Sequence, residues 1–184
     1  MTQKKKLLWA ALGLLVVLGL AGVLYGRLSG GFVTQQLGQA DSGPKTLAPD
    51  FTVYDSQGSA VRLSDYRGTP VVLNFWASWC GPCQREMPDF DALYQQLGDE
   101  VQFLMVNVTD GSRETMITAW DFLADKGYLL PVVYDTAGEA AAAYGVYALP
   151  STYFIDAQGY AIARANGAID QETLQKGIDM IHKS

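Results

Sequence analysis

An α/β sandwich on a mixed sheet, carried behind one N-terminal membrane helix, is the architecture this chain predicts. Three observations predict it. Leu7 to Tyr25 is nineteen residues long without a charged side chain. Val71-Val72-Leu73-Asn74-Phe75-Trp76 is a nearly continuous apolar, β-branched run, the mark of a strand buried on both faces of a parallel or mixed sheet. From there to the C-terminus, strand patterns and helix patterns alternate.

At about 1.5 Å per helical residue, Leu7–Tyr25 spans roughly the 30 Å hydrocarbon core of a bilayer. Lys4, Lys5 and Lys6 precede it and only Arg27 follows closely, so the positive-inside bias puts the N-terminus in the cytoplasm and all that follows outside. The rival is a cleaved signal peptide, whose apolar region is usually about 7 to 15 residues and ends in small residues. This stretch is longer, Gly19 and Ala21 are weak candidates, and no good small-residue site follows Tyr25. Both readings export the domain, and with no cysteine near the segment a lipid-modified Cys is not the tether. Ser29 to Lys45 is rich in Gly, Gln and Ser, which suits a spacer. The expected organisation is an anchor at 1–27, a flexible linker at 28–46 and a domain at 47–184.

Within the domain, Phe51–Tyr54 and Ala60–Leu63 around Ser56-Gln57-Gly58-Ser59 read as an entry hairpin. Val71–Trp76 is the central strand. Pro82 to Leu97 is helical, with Phe90, Leu93 and Leu97 on one face, Gly98 at its end and a kink expected at Pro88. Val101–Val108 is a strand, which makes 71–108 a β-α-β unit. A helix over Arg113–Lys126 closes at Gly127. Pro131–Tyr134 is a short strand, Ala137–Tyr144 a small helix, Thr152–Ile155 with Ala161–Ala165 a hairpin, and Gln171–Ile181 the last helix.

An apolar fraction of 49% with 17% charged residues is enough for a packed core and argues against disorder outside the ends. Residues 1–27 hold four Lys and Arg and no acid, so the remainder carries nine cationic against nineteen acidic side chains, about −10. Such a surface repels phosphates, which excludes nucleic acid and anionic lipid as partners.

Cys80 and Cys83 are the only cysteines, spaced C-x-x-C where the central strand hands over to a helix. Residues three apart on a helix lie about 5 to 6 Å apart, close enough to form and break a disulfide with little backbone movement. Cys80, at the helix N-terminus, meets unpaired amides and the positive end of the helix dipole, which favour its thiolate. It is the expected attacking sulfur. Cys83, one turn inside, is suited to resolve a mixed disulfide. A structural bridge closing so short a loop would restrain little chain entropy. A zinc site needs about four ligands, whereas the chain has two Cys and one His, His182, near its C-terminus. No metal and no cofactor beyond the redox-active pair is expected.

Asn74-Phe75-Trp76-Ala77-Ser78-Trp79-Cys80-Gly81-Pro82-Cys83, followed by Glu86-Met87-Pro88, resembles the thioredoxin superfamily, and more narrowly its membrane-anchored TlpA/ResA branch. Ala48-Pro49-Asp50-Phe51 and Leu63-Ser64-Asp65-Tyr66-Arg67-Gly68 add to the likeness, which covers about residues 47 to 183. The resemblance implies a thioredoxin-like three-layer sandwich with a mixed central sheet, an N-terminal β-hairpin and an inserted helix, here Arg113 to Gly127. It implies that Leu149-Pro150 is a cis peptide whose proline faces the cysteines and leaves the Leu149 backbone free for an incoming polypeptide. Trp79, Gly81 and Pro82 would form the rest of the substrate surface. Trp76 reads as core, and of Tyr153 and Phe154 one would line the groove and the other the core.

Two departures from ordinary thioredoxin stand out. Asn74 occupies the place of a buried, proton-relaying Asp, and an amide cannot take up that proton. Glu86, one helical turn after Cys83, is the acid that the TlpA/ResA branch carries there. If buried it would have a raised pKa and exchange the proton of Cys83; the alternative is an exposed first-turn Glu beside Arg85.

The function these features imply is thiol-disulfide exchange with protein substrates outside the cytoplasmic membrane. Gly81-Pro82 between the cysteines is the dipeptide of reducing thioredoxins, so by resemblance the direction is reduction, with apocytochrome c thiols during haem attachment as one example of a client. An exported reductant needs recharging, which implies a membrane-embedded thiol carrier of the CcdA or DsbD kind. A monomer is expected. A peroxiredoxin would need Pro and Thr or Ser where Leu73 and Ala77 stand. A copper-binding chaperone of this fold would look for a separate His and wider cysteine spacing.

Overall fold

Side chains along the central strand alternate between two cores, and this alternation places the site. The structure, a computed structural model, describes residue 19 and residues 38–39 and 46–182. The expected membrane helix at 7–25 therefore lies outside the described residues, apart from Gly19. Among the described residues no helix is long and apolar enough to cross a membrane. Contacts divide the chain into residues 1–34 and 35–184, and the second unit is the one described below.

The elements run β1 (Gly38–Gln39), β2 (Thr46–Leu47), β3 (Thr52–Tyr54), β4 (Ala60–Arg62), a 3-10 turn (Leu63–Tyr66), β5 (Val71–Trp76), α1 (Gly81–Leu97), β6 (Gln102–Asn107), α2 (Met116–Lys126), β7 (Val132–Tyr134), α3 (Glu139–Ala143), β8 (Ser151–Ile155), β9 (Tyr160–Asn166) and α4 (Gln171–His182). One mixed sheet orders them β1-β9-β8-β5-β6-β7-β3-β4, with β2 also on β9. β5 runs parallel to β6 and antiparallel to β8. This is the expected α/β plan with its hairpin and its inserted helix.

One reading changes. Gly38–Gln39 lies inside the stretch read as a flexible spacer, yet it pairs with Ala163 and Arg164 of β9, and Thr46–Leu47 pairs with Tyr160 and Ala161. Strand pairing thus begins before the boundary placed at residue 47, because the outer edge of β9 offers unpaired backbone groups that a short extended segment can satisfy whatever its side chains. Helix α1 runs to Leu97 with Pro88 inside it, as the sequence reading has it.

All six residues of β5 are buried. Val72 and Trp76 join a core with Cys83, Met87 and Phe90 of α1, Ala119 and Leu123 of α2, and Leu174 and Ile178 of α4. Val71, Leu73 and Phe75 point the other way, toward Phe51, Leu63 and Ala140. Helix α2 starts at Thr115, whose side chain and that of Thr118 cap each other's backbone N–H, and stops at Gly127 with φ 70°, a conformation that costs a residue with a Cβ. Helix α4 lies so close to the sheet that a Cβ on Gly177 would stand 2.2 Å from the Phe154 ring. His182 Nε2 pairs with Glu100 Oε2 at 3.2 Å.

Candidate active site

Because β5 feeds directly into the loop before α1, everything that leaves Trp76 is delivered to one end of the sheet. Cys80 takes the N-cap position in extended conformation, φ −81° and ψ 105°, and its Sγ accepts the Cys83 backbone N–H at 3.2 Å. Gly81 and Pro82 open the helix, the latter at a position where the absent N–H of proline costs nothing. Cys80 and Cys83 are disulfide-bonded with Cα atoms 5.2 Å apart, inside the expected range. Cys83 is fully buried and Cys80 is 4% exposed, so the sulfur at the N-cap is the one nearer to solvent.

Glu86, one turn further on, is 2% exposed. Asn74 Nδ2 donates to its Oε1 at 2.9 Å and the Ile169 N–H to its Oε2 at 3.0 Å. Asn74 Nδ2 also donates to Thr152 Oγ1 at 3.0 Å. Burial pushes the Glu86 pKa from 4.5 up to about 8 against the lowering effect of those two hydrogen bonds. The exposed-Glu alternative is thereby excluded, and Asn74, unable to hold a proton itself, holds the carboxyl that can.

Leu149-Pro150 is cis. In register Ser151 lies opposite Phe75 and Thr152 opposite Asn74, so Pro150 stands at the end of β5 from which the cysteine loop departs. Trp79 is 42% exposed, whereas Trp76 is fully buried. Phe154 lies in the same core as Cys80 and Cys83. Tyr153 faces the opposite side, where its hydroxyl donates to the Tyr144 carbonyl at 3.1 Å, so neither is placed as a groove residue.

Sequence reasoning missed Glu114. It is fully buried and receives the Ser78 N–H at 2.8 Å, the Ser78 hydroxyl at 2.7 Å and Asn107 Nδ2 at 2.6 Å. Gln84 Nε2 donates to the Ser78 carbonyl at 2.6 Å. The loop two residues before Cys80 is therefore tied from both sides. Next to Glu114, the Arg113 guanidinium lies 3.7 Å from the centre of the Trp79 ring. The sequence reading puts Arg113 and Glu114 in the first turn of a helix over Arg113–Lys126, whereas the helix starts at Met116 with Thr115 as its N-cap. Both residues therefore lie in the turn before it, where Glu114 can turn inward to Ser78 and Asn107. Among the described residues no three His, Cys, Asp or Glu side chains gather to hold a metal ion.

Residues 44–163 match the family model described as the AhpC/TSA family. The chain is 38% identical over 139 residues to thiol-disulfide oxidoreductase ResA of Geobacillus thermodenitrificans, covering 74% of this chain and 76% of that one. It is 30% identical over 182 residues to ResA of Bacillus subtilis, covering 97% and 96%. Among solved structures, a DsbF homologue from Corynebacterium diphtheriae superposes with a TM-score of 0.67 at 30% identity, over 81% of this chain and 94% of that one. StoA from Bacillus subtilis gives 0.61 at 25%, over 73% and 98%.

Proposed function

This chain belongs to the AhpC/TSA family and is a ResA-like thiol-disulfide oxidoreductase, and from that premise we propose that it works outside the cytoplasmic membrane as a reductant of protein disulfides, tethered by residues 7–25. The observation that carries the proposal is a cysteine pair whose leading sulfur caps a helix while a buried carboxyl with a pKa raised to about 8 sits one turn beyond the second sulfur. Export is supported by the lysines before the apolar stretch and the single Arg27 after it. The direction is supported by Gly81-Pro82, and a thiol carrier of the CcdA or DsbD kind would return the electrons. Apocytochrome c thiols are one client of the fitting chemistry.

Reduction proceeds in two exchanges. The Cys80 thiolate, stabilised by the Cys83 N–H and the helix N-terminus, attacks one sulfur of the client disulfide; a mixed disulfide forms and the client's other sulfur leaves as a thiolate. The Cys83 thiolate then attacks the Cys80 sulfur and releases the second client thiolate. The client gains two electrons and takes up protons, and Cys80 and Cys83 return to the disulfide. Glu86 carries the Cys83 proton: protonated beside the disulfide, it takes part in proton exchange as Cys83 alternates between thiol and thiolate, and Asn74 and the Ile169 N–H hold it in place.

Turnover of insulin or a peptide disulfide tests the scheme. Cys80→Ser should lower the rate by about a thousand-fold or more, since a hydroxyl neither ionises nor exchanges near neutral pH, and undiminished exchange would overturn the assignment. Glu86→Gln should change the pH dependence of exchange and of Cys83 titration between pH 5 and 9; a wild-type profile would remove Glu86 from the proton path.

A further inference from the structure

Two guanidinium groups stand beside the leading cysteine in a domain that is otherwise strongly acidic. One belongs to Arg113, stacked 3.7 Å from the centre of the exposed Trp79 ring. The other belongs to Arg85, whose Nη1 comes within 3.9 Å of where a Cβ on Gly81 would stand. Trp79 and Gly81 are the neighbours of Cys80 in the chain, so each cation stands against a residue next to the leading cysteine. Both arginines are exposed, and neither makes an ion pair among the described residues. They are two of the nine Lys and Arg that face nineteen acids after residue 27.

Arg113 is held there. The preceding turn is pinned by Asp110, whose carboxylate accepts the Ser112 and Glu114 backbone N–H groups and whose pKa is lowered chiefly by the second of these. The following residue, Glu114, is bonded to Ser78 and Asn107. A guanidinium held over an indole by its carbon can still offer N–H donors outward, and these match a carboxylate in two-pronged geometry. Because the group is already stacked, binding costs it less side-chain freedom than a solvated arginine would lose.

We propose that Arg113 and Arg85 form a client-recognition rim that selects protein segments carrying Asp or Glu beside the disulfide to be reduced. The inference rests on the redox reading above and names the kind of client that reading leaves open. Carboxylates on the client would meet two cations on a domain whose net charge is negative and repels them, so the rim discriminates as well as attracts.

The test uses the reduced full-length chain and three cyclic peptide disulfides that differ only in the residues flanking the cysteines, Glu, Gln or Lys. At low ionic strength the second-order rate constant for reduction should fall in the order Glu, Gln, Lys, with about a five-fold spread between the extremes, the scale of two exposed ion pairs. The spread should shrink toward unity at about 0.5 M salt. It should collapse in the double variant Arg85→Gln with Arg113→Gln and persist in Lys126→Gln, which changes a cation at the far end of α2. Equal rates for the three peptides in the wild type, or a preference that survives the double variant, overturns the rim and leaves the redox reading standing. Failure to reduce any of the peptides overturns both.

Discussion

On the face of the sheet that carries the cysteines, β5, β6 and β8 place Asn74, Asn107 and Thr152 among their buried side chains, whereas on the opposite face the same strands offer Leu73, Phe75, Leu104, Val106 and Ile155. The backbone is shared, so the contrast comes from side-chain parity alone. On the cysteine face each buried amide is matched to a buried carboxyl: Asn74 to Glu86 at 2.9 Å and Asn107 to Glu114 at 2.6 Å. The first pair sits below the second cysteine and the second holds the loop before the first. The opposite face is closed by rings, with Phe75 5.5 Å from Tyr144 and 6.2 Å from Tyr153. A polar group in a core is costly unless paired, and the cysteine face meets that cost at its two carboxyls. Asn74 Oδ1 and Trp76 Nε1 there, and the Tyr144 hydroxyl on the other face, have no hydrogen-bond partner among the described residues.

The sharpest way to separate the faces is to cut the apolar one. Phe75→Ala should lower unfolding free energy by about 3–5 kcal/mol, the usual cost of a phenyl-sized cavity, with the equilibrium potential of the Cys80-Cys83 pair unmoved. Urea unfolding and equilibration against a reference dithiol read the two quantities, and a potential that shifts along with stability would erase the distinction.

A smaller effect is expected on the cysteine face. Glu114→Ala leaves the Ser78 N–H and the Asn107 amide without their acceptor, worth about 1–3 kcal/mol, and should slow exchange by Cys80 because its loop loses an anchor. Glu114→Gln retains an acceptor and should recover most of both. Were the Ala variant as stable and as fast as wild type, the second amide-carboxyl pair would have no role in positioning.

Glu86→Gln should have the least effect at pH 5, where the folded protein already holds the carboxyl neutral. The sign follows from the raised pKa. As pH rises from about 4.5, the unfolded chain gives up the proton that the folded chain keeps until about 8, so the stabilising contribution present at acid pH is lost progressively across that window and is gone above it. Gln has no such proton, and the denaturant midpoint of the disulfide form should be flatter with pH in the variant. Parallel curves for the two proteins would assign the buried proton to another group.

Several of these parts could be read along the chain. Val71–Trp76 announced itself by composition, the junction at Cys80 by its spacing, and the end of α2 by Gly127. Glu86 was legible as a candidate only because helical spacing puts it one turn after Cys83. Its burial was not legible, since it depends on Ile169, eighty-three residues away, and on Asn74, whose amide also bonds Thr152 across the sheet. The pairing of Gly38–Gln39 with β9 left no trace in composition, because edge pairing uses backbone groups that every residue carries.

By itself the sequence determined what depends on near neighbours: that the central strand is buried on both faces, where the first two helices stop, and that two sulfurs share the head of a helix. Only the tertiary structure decided which carboxyls are cut off from water and which cations stand over the rim. Glu114 reaches Ser78 across thirty-six positions and Arg113 reaches Trp79 across a similar gap. Burial and charge proximity are set by the distance between side chains in space, and a linear order of residues does not carry that distance.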